Sequence, residues 1–281
     1  MPAFCQHTRK PLQSLETRFK AFRGLDHAQD YFISQEGVIY YSRAASVDYG
    51  RDYFLEEYSR QYGKSYLEDE ANLRTMARGR LQWLEQVAPV RKESILEIGC
   101  AAGFFLSEAR EKGFSTTGIE ISSYAGDLAA QQGHRIFRES FLSSAIPELL
   151  QGESGFDLIA SFYTIEHFAD QQTAFKRMAK YLKPGGLLLV AMPSYHGPLF
   201  YCSPGRWIAT HPGDHFADYS PEALRAILPI YGLRLLAARP ASYHQNRACG
   251  WRASIPSFLY RKMAQRQGYG DTMEFIAIRD P

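Results

Sequence analysis

The chain has 281 residues, with 32 Lys and Arg against 30 Asp and Glu, a net charge of +2. Its aromatic share of 14% and hydrophobic share of 45% exclude a disordered chain, and 22 Gly and 4 Cys exclude collagen-like and disulfide-dense classes. The even charge balance speaks against a dedicated nucleic-acid binder, which shows a basic stripe.

In chain order, residues 1–30 are polar and punctuated and read as a loosely held arm. Tyr31–Ser42 is rich in strand formers around Gly37 and predicts a hairpin. Tyr49, Tyr53, Tyr58, Tyr62 and Tyr66 recur at helical spacing over residues 48–70, with a break at Gly63. That segment reads either as an aromatic lid, the favoured reading, or as a packing helix with exposed phenols. Leu73, Met76, Leu81, Leu84 and Val87 predict a helix that Pro89 stops.

Beyond Pro89 the pattern alternates. Strands are predicted at 94–98, 116–121, 134–138, 156–162, 187–192, 233–238 and 274–279, with helices at 103–112, 122–132, 170–182 and 221–230. Such alternation predicts an α/β fold with a doubly wound, mostly parallel sheet. The expected division is an N-terminal helical and hairpin extension, 1–71, followed by a domain of residues 72–281 carrying a long insertion, 193–219. Residues 1–66 and that insertion hold 19 of the 39 aromatics, which points to lid and pocket lining.

Cys5, Cys100, Cys202 and Cys249 form no CxxC pair, which predicts reduced thiols. The N-terminal stretch lacks the apolar run of a secretory signal, and the longest apolar stretch, Leu187–Met192, is too short to span a bilayer. A cytoplasmic protein without a membrane partner is expected.

Chemistry concentrates where the first of these strands ends, in LEIGCAAGFFL, residues 96–106. Gly99 allows a sharp turn, and Gly103 allows close approach of backbone to a ligand at the start of a helix. Glu120 ends the next strand, where a carboxylate can take both hydroxyls of a ribose. The dinucleotide pattern GxGxxG is broken, because Ala101 stands at its middle glycine. That argues against a pyrophosphate-bearing dinucleotide. ExGxxxG remains, formed by Glu97, Gly99 and Gly103.

With GIEIS, FDLIASFYTIEHFAD, LKPGGLLLVAMPS and DHFADYSPEALRAIL following in that order, the chain resembles the class I S-adenosylmethionine-dependent methyltransferases over about residues 90–240. The resemblance implies a seven-stranded sheet and S-adenosylmethionine as cofactor, converted to S-adenosylhomocysteine. It implies cofactor contacts at Glu97, Gly99, Cys100, Ala101, Gly103, Phe104, Glu120, Ile121, Ser140, Phe141, Ser161, Phe162 and Tyr163. Some quinone-pathway O-methyltransferases carry ExxEH in the region of Glu166 and His167, a candidate divalent-metal site. Here Tyr163 takes the first acidic position, so no metal is expected.

His215 and His167 are the candidate general bases, in that order. Tyr195, His196, Trp207, His211 and His244 are candidate substrate contacts, placed by region in or after the insertion. A small-molecule acceptor is expected, with O-methylation favoured slightly over N- or C-methylation. The alternatives are a cofactor-binding protein without turnover and an RNA or DNA methyltransferase. The (N/D)PP(Y/F) pattern of base amino-group methylation is absent after the fourth strand, where Ser161-Phe162-Tyr163-Thr164 stands.

Overall fold

The computed structural model describes residues 3–47, 50, 58 and 63–281. Its strands are β1 (Gln13–Ser14), β2 (Tyr31–Ile33), β3 (Ile39–Tyr41), β4 (Ser94–Ile98), β5 (Ser115–Ile119), β6 (Arg135–Phe137), β7 (Phe156–Phe162), β8 (Leu182–Pro193), β9 (Ala217–Asp218), β10 (Leu233–Pro240) and β11 (Thr272–Arg279). Seven form one sheet in the order β10-β11-β8-β7-β4-β5-β6. β4 pairs in parallel with β5 and β7, and β5 with β6. This is the doubly wound sheet read from the alternation. Chain order reverses at β4, which has β5 on one side and β7 on the other. Open α/β sheets bind ligands beyond the carboxyl ends of strands at such a switch point.

The chain divides into two compact units that differ from the expected 1–71 and 72–281. One comprises residues 47–162, 176–189 and 278–281. Its strands are short apolar runs buried on both faces: Ile95, Leu96, Leu158, Ile159 and Ala160 have no more than 0% exposure. Helix α1 is Leu15–Arg18; helix α2 (Glu70–Val87) buries Leu81 and Leu84 of the expected stripe together with Ala77 and Arg80, whereas Leu73 and Val87 are half-buried and Met76 is exposed. Tyr49, Tyr53 and Tyr62 of the expected lid lie outside the described residues.

The other unit comprises residues 1–46, 163–175 and 190–277. The hairpin read from Tyr31–Ser42 is present, with Gly37 at φ +91° in its turn. It is not isolated. β1 pairs with β2, and β3 pairs with β9 through Ile39–Asp218 and Tyr40–Ala217, giving an antiparallel sheet of four strands. The loosely held arm is therefore corrected for its described residues: Cys5, Leu15, Phe22 and Ala28 are buried. Leu15, Phe22, Tyr31 and Ile39 pack with Tyr195, Phe200, Trp207 and Ile208. Residues 15–41 and 195–208, from the two aromatic-rich segments, thus share one core.

A second correction concerns the cysteines. Cys202 and Cys249 are joined in a disulfide, whereas Cys5 and Cys100 are free and buried. The partners stand 47 residues apart, so no local spacing announced the bond. No helix among the described residues is long and apolar enough to cross a membrane.

Candidate functional site

The turn between β4 and helix α3 (Phe104–Glu111) departs from regular backbone at three of its residues. Gly99, Ala101 and Gly103 have φ of +73°, +45° and +79°, in the left-handed region. Gly99 and Cys100 both donate their N–H to the Ile119 carbonyl, at 2.8 and 3.2 Å, which folds the turn back across β5. Gly103 has a packing reason besides its φ. A Cβ there would stand 2.9 Å from His134 Cδ2 and 3.0 Å from Ala129 Cβ. Gly118 is small for a like reason, since a Cβ would strike Cys100 Sγ and Ile136.

Glu120 locks this turn to the next. Its Oε2 accepts from Ala101 N–H and its Oε1 from Ser122 N–H, each at 2.8 Å. Each oxygen retains acceptor capacity for a donor hydroxyl. Burial pushes the Glu120 carboxyl above its usual range, against the pull of these backbone bonds. Glu97 is 3% exposed, with Oε2 unpaired. Burial raises it strongly, and the nearby Arg80 charge opposes that rise. The Arg80 guanidinium stacks 4.1 Å above the Phe162 ring, whose edge meets Phe105.

The remaining residues of the expected cofactor set fall into distinct environments. Phe104 is covered by Tyr66, stacked at 5.7 Å and 10°, and by the Arg74 guanidinium. Ile121 is 58% exposed just beyond β5. Ser161 is fully buried, and its hydroxyl donates to the Ile98 carbonyl, tying β7 to β4. Phe141 is 2% exposed, so its ring belongs to the core. Ser140 Oγ accepts from Leu142 N–H and shapes a turn. Arg80 and Arg74 sit on α2, outside every sequence motif singled out above. Sequence reasoning singled out Tyr66 only as one of a run. Burial raises the Tyr66 phenol, and the acids Glu97 and Glu120 contribute to that rise.

The second unit gathers both candidate bases. Tyr163 sits at φ +54°, its N–H bonded to Ala191 O. A short 3-10 turn, Ile165–His167, follows. His167 Nδ1 lies 3.1 Å from Asp214 Oδ2, and its ring centre is 4.8 Å from that of His215. His211 Nε2 donates to Asp218 Oδ2 at 2.7 Å, boxed by the rings of Tyr31, Tyr41 and Trp207. Phe216 N–H bonds to Glu166 O, clasping the two segments together.

Electrostatics separate the two bases. Burial lowers His215 to about 4, so it is neutral and weakly basic. Burial alone would lower His167 as well, but the hydrogen bond and charge of Asp214, with Glu166, outweigh it and raise the imidazole. Burial pushes Glu166 up to about 7. Glu166 Oε2, His211 Nδ1 and His215 Nδ1 are buried without hydrogen-bond partners. Ligand atoms of Glu166, His167 and His215 lie within 4.8 Å of one another, as do those of His211, His215 and Asp218. Imidazole and carboxylate are donors of the type that hold divalent transition ions.

Of the expected substrate contacts, Tyr195 and Trp207 are core residues. Tyr195 is 6% exposed, and its hydroxyl donates to Gly37 O at 2.5 Å. Trp207 packs on Phe22, Phe200 and Tyr31. His211 is spent on Asp218. His196 stands between Tyr201 and Tyr269, and His244 borders the short 3-10 turn at Gln245–Arg247. These two are partly open, and burial lowers both.

The family model described as a methyltransferase domain matches residues 67–238. A "Ubiquinone biosynthesis O-methyltransferase" of Caulobacter vibrioides is 32% identical over 152 residues, covering 50% of this chain and 59% of that one. The chain therefore spans less than two thirds of that relative. The protein of the same description from Coxiella burnetii is 32% identical over 175 residues, covering 59% of this chain and 74% of that one. In fold, the chain is similar to a SAM-dependent methyltransferase from Archaeoglobus fulgidus, with a TM-score of 0.54, 17% identity, and coverage of 82% of this chain and 100% of that one.

Proposed function

Since the chain belongs to the class I S-adenosylmethionine-dependent methyltransferases, we propose that it transfers the cofactor's methyl group to an oxygen of a small-molecule acceptor. The observation that carries the reading is Glu120, whose two oxygens are pinned by the backbone of the β4 turn and of Ser122 at the sheet's switch point. A carboxylate so held recognises the two hydroxyls of a ribose at little ordering cost. Around it we assign the cofactor side to Glu97, Gly99, Cys100, Ala101, Gly103 and Phe104, with Ile121 as an exposed apolar surface for the base.

The bound cofactor supplies a methyl carbon already activated by its sulfonium. The chain must orient the acceptor, exclude water and receive a proton if a neutral hydroxyl attacks. His167 suits that last task better than His215. Asp214 fixes its tautomer and raises its basicity, whereas His215 near 4 is a poor proton acceptor. An oxygen acceptor is further supported by the likeness to O-methyltransferases of Caulobacter vibrioides and Coxiella burnetii. A cytoplasmic location fits this reading only where the Cys202–Cys249 bond forms transiently, because reducing compartments keep thiols free.

The test is titration calorimetry with S-adenosylmethionine, S-adenosylhomocysteine and NAD, followed by a panel of hydroxylated and amine acceptors assayed for S-adenosylhomocysteine release. Binding of the first two ligands and release with a hydroxylated acceptor are expected. Binding of NAD alone would overturn the reading. Release only with amines or a nucleic acid would move the acceptor class.

A further inference from the structure

The segment from Ala241 to Gly270 carries Arg247, Arg252, Arg261, Lys262 and Arg266 and no Asp or Glu of its own, and of these cations Arg247 is already paired at 2.8 Å with Asp271 just beyond it. It also holds large apolar side chains in solvent: Trp251 is 58% exposed, Phe258 69% and Leu259 44%. Trp251 opens the short helix Trp251–Ser254, and Phe258 and Leu259 lie in the first turn of the helix Ser257–Gln267. The inner face of the longer helix is already satisfied, because Tyr260 and Ala264 are buried with Tyr269. Folding therefore does not account for the outward apolar groups, nor for the cations Arg261, Lys262 and Arg266 beside them, which are exposed.

The support beneath this face is firm. The Cys202–Cys249 disulfide ties the chain two residues before Trp251 to the helix Pro198–Cys202. Gln245 Nε2 donates to the carbonyls of Arg252 and Ile255, at 3.4 and 2.7 Å, which fixes the turn between the two helices. The Arg252 guanidinium stacks on Trp251 at 5.0 Å and on Tyr269 at 4.8 Å.

We propose that this face, from Trp251 to Arg266, docks the protein on an anionic lipid bilayer. Apolar side chains next to long cations suit the boundary between headgroups and acyl chains, with the charged heads reaching back to phosphates. Residues 251–266 themselves contain no Asp or Glu, and Asp271 behind them is neutralised by Arg247, which limits the repulsion a negative surface would meet. The chemistry favours lipid over nucleic acid. Leu259 is aliphatic and offers no stacking face, and Arg252 already stacks on Trp251. The expectation of no membrane partner rested on the lack of a spanning stretch, and an 11-residue helix lying in the interface needs none. The proposal is independent of the methyl-transfer reading.

The experiment is co-sedimentation of the full chain with vesicles of phosphatidylcholine mixed with phosphatidylglycerol, and with vesicles of phosphatidylcholine alone. Binding at least about tenfold tighter to the anionic vesicles, and weakened by salt, is expected. Tryptophan emission should shift to the blue on binding, and the shift should vanish in Trp251→Ala while Trp83 and Trp207 remain. The pairs Phe258→Ser with Leu259→Ser, and Lys262→Glu with Arg266→Glu, should each lower affinity about tenfold. If the first pair misfolds by circular dichroism, the second decides alone. Equal binding to both vesicle types, no binding to the anionic ones, unchanged binding in the folded variants, or capture of a single-stranded oligonucleotide in preference to vesicles would overturn the proposal.

Discussion

His167 meets Asp214 through its Nδ1 at 3.1 Å, and the carboxylate lies 47 residues further along the chain. That pair sets the first prediction. Asp214 raises His167, and a base works only when unprotonated. Turnover should climb with pH through a limb placed above the ordinary histidine value of 6.5. Asp214→Asn should move the limb toward acid and lower the plateau. His167→Ala should lose about 10²–10⁴ in kcat while S-adenosylhomocysteine binding is retained. The pH profile of kcat beside calorimetry checks this, and a profile that Asp214→Asn leaves unmoved would remove the assignment.

Glu166 gives a stability prediction of definite sign. Its folded pKa of about 7 stands above the usual 4.5, so folding favours the protonated form. Its contribution is fully present below about pH 4.5 and is lost as pH rises through about 7. The difference amounts to about 3 kcal/mol at 1.36 kcal/mol per unit. Glu166→Gln should match the parent near pH 5 and exceed it in stability above pH 7. Denaturant unfolding at the two values measures it.

Glu120 and Gly103 separate ligand binding from packing. Glu120→Ala should abolish cofactor affinity, and it should also cost about 1–3 kcal/mol per backbone N–H left unmet at Ala101 and Ser122. Glu120→Gln keeps one acceptor oxygen and should recover part of the stability but not the affinity. Gly103→Ala should destabilise by about 1–3 kcal/mol, from its left-handed φ and the approach to His134 and Ala129. Urea midpoints measured alongside ligand titrations will distinguish the two residues.

Trp207 and Tyr195 were expected at the substrate and stand in the core. Trp207→Ala should cost about 3–5 kcal/mol through the cavity it opens against Phe22 and Phe200. Tyr195→Phe should cost about 1 kcal/mol, from the lost bond to Gly37. Neither should raise the KM for an acceptor in the fraction that remains folded. A selective rise in KM for Tyr195→Phe would return it to the pocket.

The contrast between Glu120 and Trp207 shows what the chain discloses locally. Glu120, Gly99 and Gly103 belong to a strand–turn–helix–strand stretch of about 25 residues, so spacing alone brought them together. The seven sheet strands were readable for the same reason, although β8 begins at Leu182, five residues before its apolar run, because Lys183–Gly186 extends the strand instead of turning away. Trp207 takes its place from Phe22 and Tyr31, about 180 residues earlier, and nothing in its own neighbourhood encodes them. Cys202 and Cys249 were misread likewise. Ser161 and Phe141 have polar or aromatic identities that fit a site, yet burial turns both inward.

The pairing of β3 with β9 has a consequence for biosynthesis. Ile39 leaves the ribosome 179 residues ahead of Asp218, its ladder partner. At roughly 5–20 residues per second, the hairpin waits on the order of 10–35 s with one edge uncovered. For most of that interval Tyr31, Ile33 and Phe22 lack the Phe200 and Trp207 rings that will enclose them. An open edge beside an uncovered aromatic face invites intermolecular strand pairing. The β3 edge is closed only once Ala217 and Asp218 have been delivered.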